Sequence, residues 1–352
     1  MTVLYAEVPG FYAEVERAAH PELRGRAVLV GGHPRKNGTV QSATPEARAA
    51  GVIPGMRVVE ALERCPRARL FRTDMRRYRE VSARLRTALR RHVERLEPAG
   101  LGAAYLDASA VARPAEELAG DLAKAVEEEV ALPLRVGIAA AKFLARLAAE
   151  DATGTVARVA PGAETAFLAS LSVERLPGVG PATAARLAEL GARTIGELAA
   201  LERAGVESAL GVHGHTIWEL AHGRDATRVR PAPSRKSLSQ ESSFDPEELD
   251  STAILARLSA LAEGLSTALA REALRARKLT LKIRYADQER VTRSCTLESA
   301  LASAAEIHDR AGALLERTQA GSRAVRGVGI VLGGLTPASR EDRQLDLFQR
   351  RD

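Results

Sequence analysis

The stretch Leu176-Pro177-Gly178-Val179-Gly180-Pro181-Ala182-Thr183 narrows the possible folds of this chain more than any other. Gly178 and Gly180 permit a tight turn with bare backbone. Pro181 suits the first position of a helix, so the free amides of that helix face the turn. Together they form a nest for one phosphate. A contact of this kind grips a nucleic-acid backbone without reading bases. A weaker copy runs through Leu210-Gly211-Val212-His213-Gly214-His215-Thr216 into Ile217. The competing reading of either copy is an ordinary glycine-linked helical hairpin. His213 and His215 have no cysteine nearby and read as surface histidines rather than a metal site.

Around this hairpin the pattern changes twice. Residues 3–6, 26–31, 39–43, 69–72, 104–108 and 134–139 read as short strands. Long helices separate them. From Met75 to Leu96 the positions Tyr78, Val81, Leu85, Leu89, Val93 and Leu96 recur at helical spacing beneath an arginine-rich face. Thr44-Pro45-Glu46 opens another helix, with Thr44 as its expected cap. Strands alternating with helices predict an open mixed α/β layer. From Glu164 to Gly223 nearly everything reads as short helices. A basic, proline-containing stretch, residues 229–236, predicts an extended linker. The last domain reads strand, helix (Asp250 to Ala276), strand (Lys278 to Tyr285), strand (Glu289 to Thr296), helix (Ala302 to Thr318) and strand (Val325 to Leu332). The fold class is thus α+β and multidomain.

Composition excludes several classes. Of 352 residues, 27% are charged and 45% hydrophobic, which fits neither a disordered nor a membrane-embedded chain. The longest uncharged run, Gly327 to Ser339, is too short to cross a bilayer. The beginning lacks the layout of a secretion signal. Two distant cysteines, Cys65 and Cys295, make no disulfide framework, so a reducing cytoplasm is expected. Lys and Arg number 51 against 45 Asp and Glu, a net +6 that hints at a polyanionic partner.

With the hairpin in place, the chain resembles the Y-family, or translesion, DNA polymerases, most closely their bacterial polymerase IV branch. Phe11-Tyr12-Ala13-Glu14-Val15-Glu16 with Pro21-Glu22-Leu23-Arg24-Gly25 matches the opening motif. Glu46-Ala47-Arg48 with Gly51-Val52 matches the fingers motif, and Arg77-Tyr78-Arg79-Glu80-Val81-Ser82 starts the long palm helix. Glu97-Pro98 and Ala104-Tyr105-Leu106-Asp107 frame the central motif. Val136-Gly137-Ile138-Ala139 with Lys142-Phe143-Leu144-Ala145 is a further match. The resemblance implies a right-hand architecture: palm (1–12 and 73–165), fingers (13–72), helix-hairpin-helix thumb (166–228), linker (229–236), a βαββαβ-like little finger (237–337) and a tail (338–352).

The chemistry that the family implies is two-metal nucleotidyl transfer, with carboxylates holding two Mg²⁺ ions. Glu7 stands where the family has its first acid, but Pro9 replaces the second. Gly102 and Ala103 replace the central Asp-Glu pair, and Asp107 aligns with a structural acid. The fingers tyrosine falls on Pro45, while Arg48 keeps the basic partner. Asp151-Ala152-Thr153-Gly154 replaces the segment that carries a phosphate lysine. Tyr12 occupies the aromatic sugar-gate position and is expected to fill core space. Three features of one reaction are missing together. The expectation is therefore a non-catalytic homologue without a metal cofactor, resembling the inactive adaptor subunit of bacterial mutagenesis complexes. The alternative is a divergent but active translesion polymerase using Mg²⁺.

The binding apparatus persists. On residues 278–285 Lys278, Thr280, Lys282 and Arg284 share one face and Leu279, Leu281 and Ile283 the other. With Lys236, Arg275, Arg277, Arg290 and Arg293 nearby, the resemblance implies a DNA-tracking surface. Gly178, Val179, Gly180, Thr183, Gly211 and Gly214 are the expected hairpin contacts. Gln344-Leu345-Asp346-Leu347-Phe348 looks like a sliding-clamp-binding peptide: an amide, then Leu and Phe anchors. The expected partners are primer–template DNA, the bacterial clamp and, by family analogy, an error-prone polymerase. No membrane is among them.

Overall fold

The computed structural model describes residues 1–230 and 236–338. The clamp-like pentapeptide Gln344–Phe348 lies outside them. The chain divides into two compact units, Met1–Ala232 and Pro233–Asp352.

The first unit is organised by a five-stranded sheet. Its strands are β1 (Val3–Glu7), β5 (Leu96–Pro98), β6 (Ala103–Asp107), β7 (Arg135–Ala139) and β8 (Val156–Arg158), in the order β5-β6-β1-β7-β8. All neighbours are antiparallel except the β7–β8 pair. Period-two alternation gives the sheet two apolar faces. Leu4, Ala6, Ala104, Leu106, Val136 and Ile138 pack under the helices Met75–Arg90 and Ala115–Val130. Val3, Tyr5, Ala103 and Ala139 face the helix Lys142–Glu150 and the short thumb helices. The palm sheet is therefore covered on both sides, which explains its short, nearly all-apolar strands.

A smaller sheet, order β3-β2-β4, is built from β2 (Val28–Gly31), β3 (Val40–Ala43) and β4 (Arg69–Arg72). It carries its own core around Leu29, Val52 and Val58. Thr44 does precede the helix Pro45–Ala49, but it caps nothing. Its hydroxyl instead accepts the amide of Val28 at 3.0 Å, tying the helix entry to β2. The long palm helix ends at Arg90 rather than Leu96, because Leu96 already belongs to β5. Asp74 caps it, accepting the amides of Arg76 and Arg77.

The expected linker is not free at its start. Val229 is buried in the palm–thumb core. The amide of Arg230 donates to Glu97 Oε2 at 2.9 Å. Glu97 also holds Lys142 Nζ at 2.7 Å, so one carboxylate fixes both the helix Lys142–Glu150 and the chain leaving the thumb.

The second unit is a four-stranded antiparallel sheet, order β11-β10-β12-β9, from β9 (Ser237–Glu248), β10 (Leu274–Tyr285), β11 (Arg290–Leu301) and β12 (Val325–Pro337). Two helices, Ser251–Glu272 and Ala304–Leu315, cover one face. The first is shorter than its apolar pattern predicts. Asp250 caps its start, and Ala273, in the left-handed region at φ +51°, ends it. It is the one helix among the described residues long and apolar enough to cross a membrane. Here Ile254, Leu258, Ala262, Leu265 and Leu269 bury its stripe against the sheet.

Candidate active site and nucleic-acid interface

Glu7, Tyr12, Gln41, Arg48, Gly102 and Ala103 line a palm cavity of about 300 Å³. Strand register brings the sequence-singled positions together: Glu7 ends β1 directly across from Ala103 on β6 and Arg135 on β7. Glu7 is half-buried. Burial pushes its carboxyl above the ordinary range, and the charge of Glu150 adds to this. Arg135, Arg48 and Arg146 pull the other way.

Gly102 is closed to any side chain. A Cβ placed there would lie 2.4 Å from Phe11 Cβ and 2.6 Å from Phe11 Cγ. The Gly102 carbonyl accepts the Val8 amide at 2.8 Å, which pins the turn against β1. Phe11 thus fills the space that a carboxylate at 102 would need. Ala103 is buried and carries no ligand atom. Among the described residues no group of three or more His, Cys, Asp or Glu could hold a metal ion. A two-magnesium centre needs converging carboxylate oxygens. Among the residues lining this cavity Glu7 alone supplies them, so they do not fit that pair of ions.

The pocket's other wall is built on stacked rings. Tyr12 is half-buried and stacks on Tyr78 with ring centroids 4.5 Å apart and planes 11° apart. The Tyr78 hydroxyl donates to Glu16 Oε1 at 2.8 Å, and Arg77 pairs with the same carboxylate. Tyr12 therefore both fills space and borders the cavity. Arg48 is exposed, and its Nε donates to the Ala43 carbonyl at 3.1 Å. Asp151, where the phosphate lysine segment would begin, pairs with Arg175 instead.

The first thumb hairpin has the geometry expected of a phosphate nest. Gly178 adopts φ +85°, in the region that glycine alone enters freely. Gly180 caps the helix Pro181–Glu189, and its carbonyl accepts Ala184 at 2.9 Å. Val179 is buried and anchors the turn; Thr183 is half-exposed on the first helical turn. Nothing lies within 4 Å of a Cβ built on Gly178 or Gly180, so the nest is open.

The second copy differs. Gly211 does turn the chain, at φ +65°, but Gly214 is buried inside the helix Gly214–Ala221. Its Cβ would meet Glu207 Cα at 2.7 Å. Gly214 serves a helix crossing and is removed from the expected DNA contacts. His215 sits beside Glu207 at the surface.

On the C-terminal sheet, register places Lys278, Thr280, Lys282 and Arg284 opposite Thr296, Ser294, Thr292 and Arg290 on the face away from the helices. Lys236 is exposed just before β9. Arg293 is a correction. It pairs in register with buried Leu281, so it points to the helix side. There its Nε donates to the Arg317 carbonyl at 2.9 Å. Its neighbours at spacing two, Val291 and Cys295, pack on the helix-side core and carried that signal in the sequence. Phe11 as a plug and Glu97 as an anchor were missed by sequence reasoning. Both roles depend on contacts across the fold.

A mixed-sheet palm, a small sheet beside it, a hairpin-bearing helical thumb and a separate β-sheet unit together define a right-hand polymerase fold. The comparisons agree. Residues 7–150 match the impB/mucB/samB family, 235–347 its C-terminal domain, and 174–225 the DNA polymerase-iota thumb domain. The DNA polymerase IV of Halorhodospira halophila is 38% identical over 350 residues, 98% of each chain. That of Alkalilimnicola ehrlichii is 35% identical over 351 residues, 98% of this chain and 99% of the relative. A Dbh–Dpo4 chimera of the Y-family polymerases superposes with a TM-score of 0.85 at 24% identity, covering 96% of this chain and all of that one. A Dbh insertion ternary complex gives 0.72 at 23% identity, with the same coverage. The chain belongs to the Y-family DNA polymerases, in the polymerase IV group.

Proposed function

We propose that this chain is a Y-family homologue that binds primer–template DNA and does not itself run nucleotidyl transfer. The observation that carries the proposal is the palm. Glu7 is the one carboxylate lining its cavity, and Phe11 occupies the space beside Gly102. Removing a preorganised clamp on developing charge typically costs several kcal/mol of barrier. The open hairpin at Gly178 and Gly180 and the cationic row Lys278, Lys282, Arg284 and Arg290 support sequence-tolerant backbone binding that weakens with salt. In this reading the chain acts in the cytoplasm as an adaptor for translesion synthesis and induced mutagenesis. It would attach to the sliding clamp through Gln344-Leu345-Asp346-Leu347-Phe348 and help recruit an error-prone polymerase. No metal cofactor enters it.

A second reading, an active but divergent translesion polymerase using Mg²⁺, is the one that the comparisons favour by themselves. The relatives identical at 38% and 35% over their whole lengths carry the name DNA polymerase IV. Primer extension by the purified chain, with Mg²⁺ or Mn²⁺, separates the two. Template-directed incorporation that Glu7→Ala abolishes, with DNA affinity intact, establishes the second. No incorporation alongside salt-sensitive DNA binding supports the first.

A further inference from the structure

The open face of the C-terminal sheet holds a trough of about 470 Å³. Its floor is β12, where Gly327 and Gly329 face outward, alternating with core residues Val328 and Ile330. Register builds two rungs across it. One reads Thr292, Lys282, Gly329, Glu241; the other reads Arg290, Arg284, Gly327, Ser243. One wall is cationic and the other carries hydroxyls, continued by Ser239 and Ser237.

Glu241 breaks this pattern as the only acid on the outward rungs from Ser237 to Ser243. Its carboxylate reaches over Gly329 to Lys282 Nζ at 2.8 Å. A Cβ on Gly329 would meet Glu241 Cγ at 2.6 Å, so the acid lies flat on the glycine floor. On the next rung Arg284 lies over Gly327 and donates to Ser243 Oγ at 3.1 Å. Lys282 and Arg284 are thus both engaged across the trough by β9.

We infer that Glu241 is a built-in competitor for phosphate: its carboxylate occupies Lys282 in the free protein, and a nucleic-acid phosphate displaces it on binding. This rests on the DNA-binding reading of the same face. An oxyanion on an ammonium reproduces the contact that a phosphate would make. The pair is exposed on both sides, and such pairs are weak enough to exchange readily. The competitor keeps the face from holding non-specific DNA tightly.

The test is DNA binding by the full chain, titrated against salt, for wild type, Glu241→Gln, Lys282→Gln, the double variant and Gly329→Val. Glu241→Gln is expected to tighten binding by about two- to five-fold. Its plot of log K against log salt should steepen by up to ~0.9, the slope of one further phosphate contact. Lys282→Gln should weaken binding more in the Glu241→Gln background than in wild type. Gly329→Val drives a Cβ into Glu241 Cγ, so it should dislodge the acid from Lys282 and tighten binding as Glu241→Gln does. If wild type binds DNA in a salt-sensitive way and Glu241→Gln leaves affinity and slope unchanged, or lowers affinity, the competitor role is wrong and the DNA reading stands. If wild type shows no salt-sensitive binding, the DNA reading fails and takes the inference with it.

Discussion

Two glycines in the first unit occupy opposite situations. At Gly102 in the palm, a Cβ would collide with Phe11; at Gly180 in the thumb, it would meet nothing within 4 Å. The palm glycine borders the cavity, and Phe11 has closed over the position that a side chain there would take. The thumb glycine keeps backbone bare at a turn. The contrast is between a position closed to any side chain and a turn that leaves its backbone bare.

The comparison can be broken most easily at the thumb. Gly180→Asp has room for its side chain but sets a negative charge in the nest. DNA affinity should fall about 10- to 100-fold, the equivalent of losing a charge-assisted contact, while the melting temperature stays put. Fluorescence anisotropy with a labelled duplex, beside a thermal melt, checks both halves. In the palm the pattern should invert. Gly102→Asp overpacks Phe11 and should cost about 1–3 kcal/mol of stability with little change in DNA affinity, read by denaturant unfolding. Equal losses of affinity in both variants would erase the distinction.

A smaller effect sharpens the palm side. Burial raises the Glu7 carboxyl pKa, so the folded state holds that proton more tightly than the unfolded chain. The stability it contributes is present below the unfolded value of about 4.3 and is lost as pH rises through the higher folded value. Glu7→Gln should therefore match wild type in acid and become the more stable protein towards neutral pH. A series of melts across that range would reveal it; a Glu7→Gln protein that is less stable at neutral pH contradicts the burial argument. Deleting the chain from Gln344 should remove clamp binding and leave duplex affinity unchanged, measured by pull-down and anisotropy.

Much of this was legible in the sequence, for identifiable reasons. The Leu-Pro-Gly-Val-Gly turn and the alternation on β10 are local patterns, and local patterns survive into structure. The missing acids at 102 and 103 are visible as residue types. What was not legible depended on distance or conformation. Gly214 looks like a turn glycine in a string, but it takes helical angles because a neighbouring helix needs its bare surface. Glu97 meets the Arg230 amide 133 residues away. Proximity to other cations in the sequence suggests Arg293 as a DNA contact, whereas strand register turns it to the helix side.

Primer extension on an undamaged and a lesion-bearing template, with Mg²⁺ and separately with Mn²⁺, tests the central claim most directly. The account predicts binding of the duplex and no nucleotide added to the primer by the purified chain. Template-directed extension that disappears in Glu7→Ala would contradict it and make the palm a working active site.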